Sequence, residues 1–148
     1  MKVSEAMTQD VQLANPNETL QQAAQAMAML DAGALPVGEN DRLVGMITDR
    51  DIAIKGVACG MGPEAKIRDV MTADVKYCFE DQDLAEVTKN MADIQVRRLP
   101  VLDHDKRLVG IISLGDIAVN TKGKNKADGA GQALRGISRP GGQHSQTA

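Results

Sequence analysis

The sequence predicts an α+β fold made of two βαββα motifs packed sheet to sheet about a pseudo-twofold axis. Three observations lead there. The chain repeats itself once. Each copy alternates short apolar runs with helix-spaced apolar residues. At about 50 residues, neither copy buries enough surface to fold readily alone.

The copies are residues 3–53 and 67–118. The offset is 64 up to Arg42/Lys106 and 65 from Leu43/Leu108 onward, so Arg107 is an extra residue in the second copy's turn. Met7-Thr8 answers Met71-Thr72, Leu35-Pro36-Val37 answers Leu99-Pro100-Val101, and Asp51-Ile52-Ala53 answers Asp116-Ile117-Ala118. Eighteen of the 47 aligned positions from Met7 to Ala53 are identical, at apolar and special positions alike, which excludes chance similarity of low-complexity sequence. The expected organisation is motif one over 1–60, a linker over 61–66, motif two over 67–120 and a tail over 121–148.

The elements follow in order. A first strand is expected near 10–14, and near 74–79 in the second copy. A helix follows at 19–31, where Leu20, Ala23, Ala24, Met27 and Leu30 keep the three- and four-residue spacing of one buried face. Thr19 with Gln22 fits a capping box, and Asp83 with Glu86 offers the same chemistry in copy two. Leu35-Pro36-Val37 reads as an edge strand or the start of a strand, because proline cannot donate to a ladder. Glu39-Asn40-Asp41 and Asp103–Lys106 are turn sequences, and Leu43–Ile47 and Leu108–Ile112 complete the hairpins. The last helix of copy one is expected from Thr48 to near Gly60, with Gly60-Met61-Gly62-Pro63 as its stop.

The turn from the last strand into the last helix carries the chemistry. Gly45–Ile52 and Gly110–Ile117 share the pattern G-h-h-[ST]-x-x-D-h, where h is apolar. Thr48 or Ser113 is a good N-cap, and an Asp three residues later favours the positive end of the helix dipole. The same physics suits a ligand. Free N–H groups and a hydroxyl at a helix start favour phosphate, and an ionised carboxylate accepts both hydrogen bonds of a ribose cis-diol. One copy reads as a cap; its recurrence at matching places favours a binding site.

With these residues the repeat resembles the CBS domain, and the pair resembles the tandem CBS (Bateman) module of small stand-alone bacterial proteins. The resemblance rests on Met7-Thr8, Leu35-Pro36-Val37, Gly45–Ile52 and their counterparts, and spans about 115 of the 148 residues. It implies two clefts between the motifs that take AMP, ADP, ATP or a related adenosyl ligand, with no required cofactor. Thr48 and Ser113 match the phosphate hydroxyls, and Asp51 and Asp116 the ribose carboxylates. The base would lie among Val11, Ala34, Leu35 and Pro36, and among Val75, Arg98, Leu99 and Pro100. Arg50 and Arg98 are candidate phosphate partners, since Arg grips phosphate bidentately. The resemblance also implies a homodimer and a regulated partner protein.

Composition narrows the alternatives. Residues 1–120 carry 12 basic and 19 acidic side chains, which argues against nucleic-acid binding through that body. One Tyr, one Phe and no Trp leave no stacking platforms for single-stranded bases. The tail from 121 is basic and rich in Gly, Lys, Gln and Ser, and is expected to be disordered. Cys59 and Cys78 form no CxxC and read as two small buried side chains; a disulfide between them is left open by their spacing. No signal peptide or membrane-length apolar run occurs in the sequence, so a soluble cytoplasmic protein is expected. His104 and His144 pair with no nucleophile at a defensible spacing, and Cys59, Cys78 and His104 would form a metal site only by chance convergence. The reading is therefore a regulatory ligand-binding module without catalysis. The competing reading is a ligand-independent dimeric scaffold with vestigial clefts.

Overall fold

The computed structural model describes residues 1–120 and Gly131; the expected tail lies otherwise outside the described residues. The described chain forms two compact units. One is Val11–Val75. The other joins Met1–Asp10 to the described residues from Lys76 on. The compact units thus divide the chain differently from the linear repeat: each takes in the segment that opens the other copy.

In the Val11–Val75 unit, α2 (Leu20–Leu30) is followed by the hairpin β1 (Ala34–Glu39) and β2 (Arg42–Thr48). The short α1 (Val3–Ala6) belongs to the other unit. Helix α2 starts as its capping chemistry predicts: Gln22 N–H donates to Thr19 Oγ1 at 3.2 Å, and Thr19 N–H donates to Gln22 Oε1 at 2.9 Å. Two further free N–H groups of the first turn, on Leu20 and Gln21, donate to the carbonyls of Ala65 (2.8 Å) and Pro63 (3.1 Å). The expected linker therefore caps the helix of copy one. Leu20, Ala23 and Met27 are buried, whereas Ala24 and Leu30 are exposed. The buried stripe is narrower than the spacing suggests, because the helix covers only one face of a small sheet.

The β1–β2 hairpin closes through Asn40 (φ 54°) and Asp41 (φ 62°), the two left-handed residues of a tight hairpin turn. Beyond it come α3 (Asp49–Asp51), a π-helical turn (Ile52–Gly56) and a 3₁₀ turn (Val57–Cys59), which Gly60 ends at φ 83°. The helix expected from Thr48 to Gly60 is thus present but irregular.

The other unit has the same plan. Strand β3 (Cys78–Phe79) pairs parallel with β4 (Arg98–Leu102), and β4 pairs antiparallel with β5 (Leu108–Ser113). Helix α4 (Leu84–Ile94) precedes the hairpin and α5 (Leu114–Asn120) follows it. Leu84 N–H donates to the carbonyl of Met1 at 2.8 Å, so here the chain's first residues cap the helix. Asp83 makes no side-chain cap, contrary to expectation; its carboxylate lies 3.7 Å from the N-terminal ammonium instead.

Proline shapes the pairing of both leucine–proline strands. The leucine–proline segments open their strands, the second of the two expected alternatives: β1 begins at Ala34 and β4 at Arg98, with β4 in the middle of its sheet and β1 paired with β2 and bridged once by Ala14. The first strand is shorter than expected. It shrinks to Cys78–Phe79 in one unit and to a single Ala14–Val37 bridge in the other. Ala14 N–H donates to the carbonyl of Pro36, and Gly38 N–H donates to Ala14, each at 2.9 Å. The next ladder bond toward the N-terminus would need a donor on Pro36, which has none. Pro100 ends β3 in the same way. The proline sits mid-strand because its partner strand stops there.

Each unit has its own core. One gathers Leu20, Met27, Leu35, Val37, Ile47 and Ile67. The other gathers Val3, Val87, Met91, Leu99, Val101 and Ile112, so Val3 from the chain start is part of the second motif's core.

Candidate functional site

Thr48 ends β2 and caps the following helix, so its hydroxyl sits at a strand-to-helix corner. Asp51 N–H donates to Thr48 Oγ1 at 2.9 Å, and Thr48 N–H donates to Asp51 Oδ2 at 3.1 Å. Ser113 and Asp116 repeat the reciprocal pair at 3.1 Å and 3.0 Å, and Ser113 Oγ also bonds Asp116 Oδ2 at 3.0 Å. In both corners the cap uses Oδ2 alone. The second oxygen, Oδ1, faces other donors.

Those donors differ between the units. Asp116 Oδ1 accepts from the hydroxyl of Thr8 at 3.3 Å. Asp51 Oδ1 lies 3.3 Å from the ammonium of Lys55, which also reaches Thr72 Oγ1 at 3.3 Å. Asn120, the counterpart of Lys55, donates instead to the backbone carbonyls of Asp116 (2.8 Å) and Ala6 (3.3 Å).

Thr8 and Thr72 reach the corners because their segments lie along the outer edge of each hairpin. Thr72 and Met46 exchange backbone bonds of 2.9 Å, and Thr8 and Ile111 exchange bonds of 2.9 and 3.0 Å. The motif glycines make room for them. A Cβ on Gly45 would lie 2.7 Å from Met71 Sδ and 2.9 Å from the carbonyl oxygen of Thr72; on Gly110 it would lie 2.7 Å from both Met7 Sδ and the Thr8 carbonyl oxygen.

Of the other expected site residues, Ala34 is the cross-strand partner of Thr48, and Arg98 of Ser113, so each corner hydroxyl lies beside the start of its leucine–proline strand. Arg98 and Arg50 are exposed. Leu35 and Leu99 are correctly placed in sequence but turn away from Ala34–Pro36 and Arg98–Pro100: alternation sends both leucines into the cores. Ala34, Pro36 and Pro100 are buried, and Val11 and Val75 are half-buried. Val75, expected beside the second copy's site, belongs to the unit of Thr48 and Asp51. A cavity of about 50 Å³ under Leu13, Glu18 and Gln22 is too small for a nucleotide.

Sequence reasoning missed four residues: Thr8, Thr72, Lys55 and Asn120. The Met-Thr match was legible without a role. The Asp51–Lys55 spacing is that of an i,i+4 helix ion pair.

The cysteines are unpaired. Cys78 is buried as expected, and burial pushes its thiol up to about 12. Cys59 is exposed, contrary to expectation, because it lies in the last turn before Gly60. Among the described residues no group of three or more His, Cys, Asp or Glu is arranged to hold a metal ion, and no helix is long and apolar enough to cross a membrane.

Comparison with known proteins agrees with this architecture. The CBS domain family matches residues 3–56 and 67–120. The CBS domain-containing protein YhcV of Bacillus subtilis is 40% identical over 136 residues, 92% of this chain and 94% of YhcV. Hypoxic response protein 1 of Mycobacterium tuberculosis is 43% identical over 114 residues, 76% of this chain and 79% of that protein. A crystal structure of Hypoxic Response Protein I with two coordinated zinc ions is similar at a TM-score of 0.75 and 40% identity, covering 82% of this chain and 100% of that one. The CBS domain pair of protein MJ0100, crystallised with 5′-methylthioadenosine and S-adenosyl-L-methionine, is similar at a TM-score of 0.71 and 28% identity, covering 80% and 94%. The chain belongs to the CBS domain family and carries two CBS domains in tandem.

Proposed function

We propose that the chain is a regulatory module that binds an adenine nucleotide (AMP, ADP, ATP or a related adenosyl ligand) at the Thr48/Asp51 and Ser113/Asp116 corners. One observation carries the reading. In each corner the capping Asp spends one oxygen on its helix and turns the other to outside donors; on Asp116 that donor is already a hydroxyl, from Thr8. A ribose hydroxyl has the same chemistry. The corner hydroxyl and the helix start suit the phosphate, and Arg98, cross-strand from Ser113, is a further phosphate partner. The adenosyl ligands of the related MJ0100 pair support the ligand class. A cytoplasmic homodimer acting on a partner protein completes the reading. Met29, Leu30, Ile54 and Val57, large apolar side chains exposed on α2 and the following helical turns, support association.

Native mass spectrometry of protein purified without added nucleotide, then mixed with AMP, ATP or S-adenosylmethionine, tests this. Adducts of up to two per chain are expected, lost when Asp51 and Asp116 are both changed to Asn. Bare chain at millimolar ligand contradicts the reading.

A second reading is favoured by the same contacts. Both Oδ1 atoms have protein donors in place, so the corners are structurally complete without ligand. The chain would then be a ligand-independent interaction scaffold, and the double Asp→Asn variant would keep its cellular function.

A further inference from the structure

We infer that Lys55 divides the two corners by ligand class: the Ser113/Asp116 corner admits neutral adenosine as well as its phosphorylated forms, whereas the Thr48/Asp51 corner discriminates against ligands that carry no phosphate. The inference rests on the nucleotide reading above and assigns the difference between the corners to one side chain.

The argument starts from what a ribose must displace. At Asp116 Oδ1 it displaces a neutral hydroxyl, that of Thr8. One hydroxyl replaces another, and the exchange is close to even. At Asp51 Oδ1 it displaces an ammonium. The Asp51 side chain is 13% exposed and that of Lys55 is 51% exposed, so the carboxylate is well shielded while the lysine, which also bonds Thr72 Oγ1 at 3.3 Å, has room to swing out. A neutral nucleoside gives the displaced ammonium nothing in return. A phosphate does: the ammonium lies 3.3 Å from Asp51 Oδ1 while Asp51 Oδ2 accepts from Thr48 N–H at 3.1 Å, so Lys55 already stands beside the corner where phosphate is expected. The second copy has Asn120 at this position, and its amide is committed to backbone carbonyls rather than to the carboxylate.

Partly exposed pairs of this kind contribute up to about 1 kcal/mol, so the discrimination is up to about fivefold. The test isolates one corner at a time in the full chain. Asp116→Asn silences the second corner and keeps an acceptor oxygen for the cap, and circular dichroism checks that the fold persists. In that background, calorimetric titration with adenosine and with AMP is compared with and without Lys55→Asn. The expected result is adenosine binding tightened about three- to fivefold by Lys55→Asn, with AMP binding unchanged or weaker. In the reciprocal Asp51→Asn background, Lys55→Asn is expected to change neither ligand. An unchanged adenosine-to-AMP ratio, or an equal change in both backgrounds, overturns the inference and leaves nucleotide binding standing. Absence of binding by the unmodified chain to either ligand overturns the nucleotide reading and this inference with it.

Discussion

Met71 lies directly over Gly45, although the two residues come from different copies of the repeat. Met7 lies over Gly110 in the same way. Each motif is completed by the Met-Thr segment that opens the other motif, and the glycine is the floor on which that segment rests. Gly45→Ala and Gly110→Ala are each expected to destabilise the fold by about 1–3 kcal/mol, read as a lowered midpoint in urea. Trimming Met71 to Ala should not rescue Gly45→Ala, because the Thr72 carbonyl oxygen, a backbone atom, also lies 2.9 Å from the new Cβ. Full rescue would show that the side chain alone imposes the glycine.

The first residues of the chain act on the second motif. Val3 is fully buried in a core with Val87, Met91 and Ile112, and the Met1 carbonyl caps α4. Val3→Ala is expected to cost about 2 kcal/mol. Hydrogen exchange should locate the loss in α4, β4 and β5, with little change in α2, β1 and β2. Equal loss of protection in both units would contradict the exchange of segments.

Much of this was legible in the sequence, and what was hidden shares a cause. Periodicity and capping fix α2 and the hairpins, since Thr19, Gln22, Asn40 and Asp41 act within a few residues of themselves. The corner pairs Thr48/Asp51 and Ser113/Asp116 are equally local. The crossing of Met7-Thr8 and Met71-Thr72 is not, because the partners lie up to 108 residues apart and the repeat looks the same whichever copy receives them. Asp83 makes no side-chain cap and lies 3.7 Å from the N-terminal ammonium, a partner that local spacing does not reveal. Leu35 and Leu99 belong to the cores, as strand alternation allows.

His104 gives the second unit a pH-dependent contact. Its Nε2 lies 2.7 Å from Asp81 Oδ2, and its ring stacks on Phe79 at 4.9 Å. The hydrogen bond and charge of Asp81 raise the imidazole above its usual range, while the bond to His104 lowers the carboxyl below its own. The raised imidazole contributes stability below its ordinary value of 6.5, lost as pH rises through the folded value; the lowered carboxyl contributes above its ordinary 3.8, lost as pH falls through the folded value. The pair therefore helps most between those two ordinary values. Thermal melts from about pH 5 to about pH 8 should decline more for the parent chain than for His104→Gln. Identical slopes would show that the exposed pair carries no linkage.

The two thiols should separate by reactivity. Cys59 is exposed and Cys78 is buried with its thiol pushed up to about 12. A maleimide applied to the native protein is expected to modify Cys59 alone, and both after denaturation. Fast native labelling of Cys78 would mean that β3 opens readily from β4.

The central claim is that Asp51 and Asp116 hold a ribose while they cap their helices. Calorimetric titration of the full chain with AMP tests it most directly, run beside the double variant Asp51→Asn with Asp116→Asn. Saturable binding is expected of the parent chain and none of the folded double variant. Equal binding by both, or silence from the parent at millimolar AMP, would contradict it.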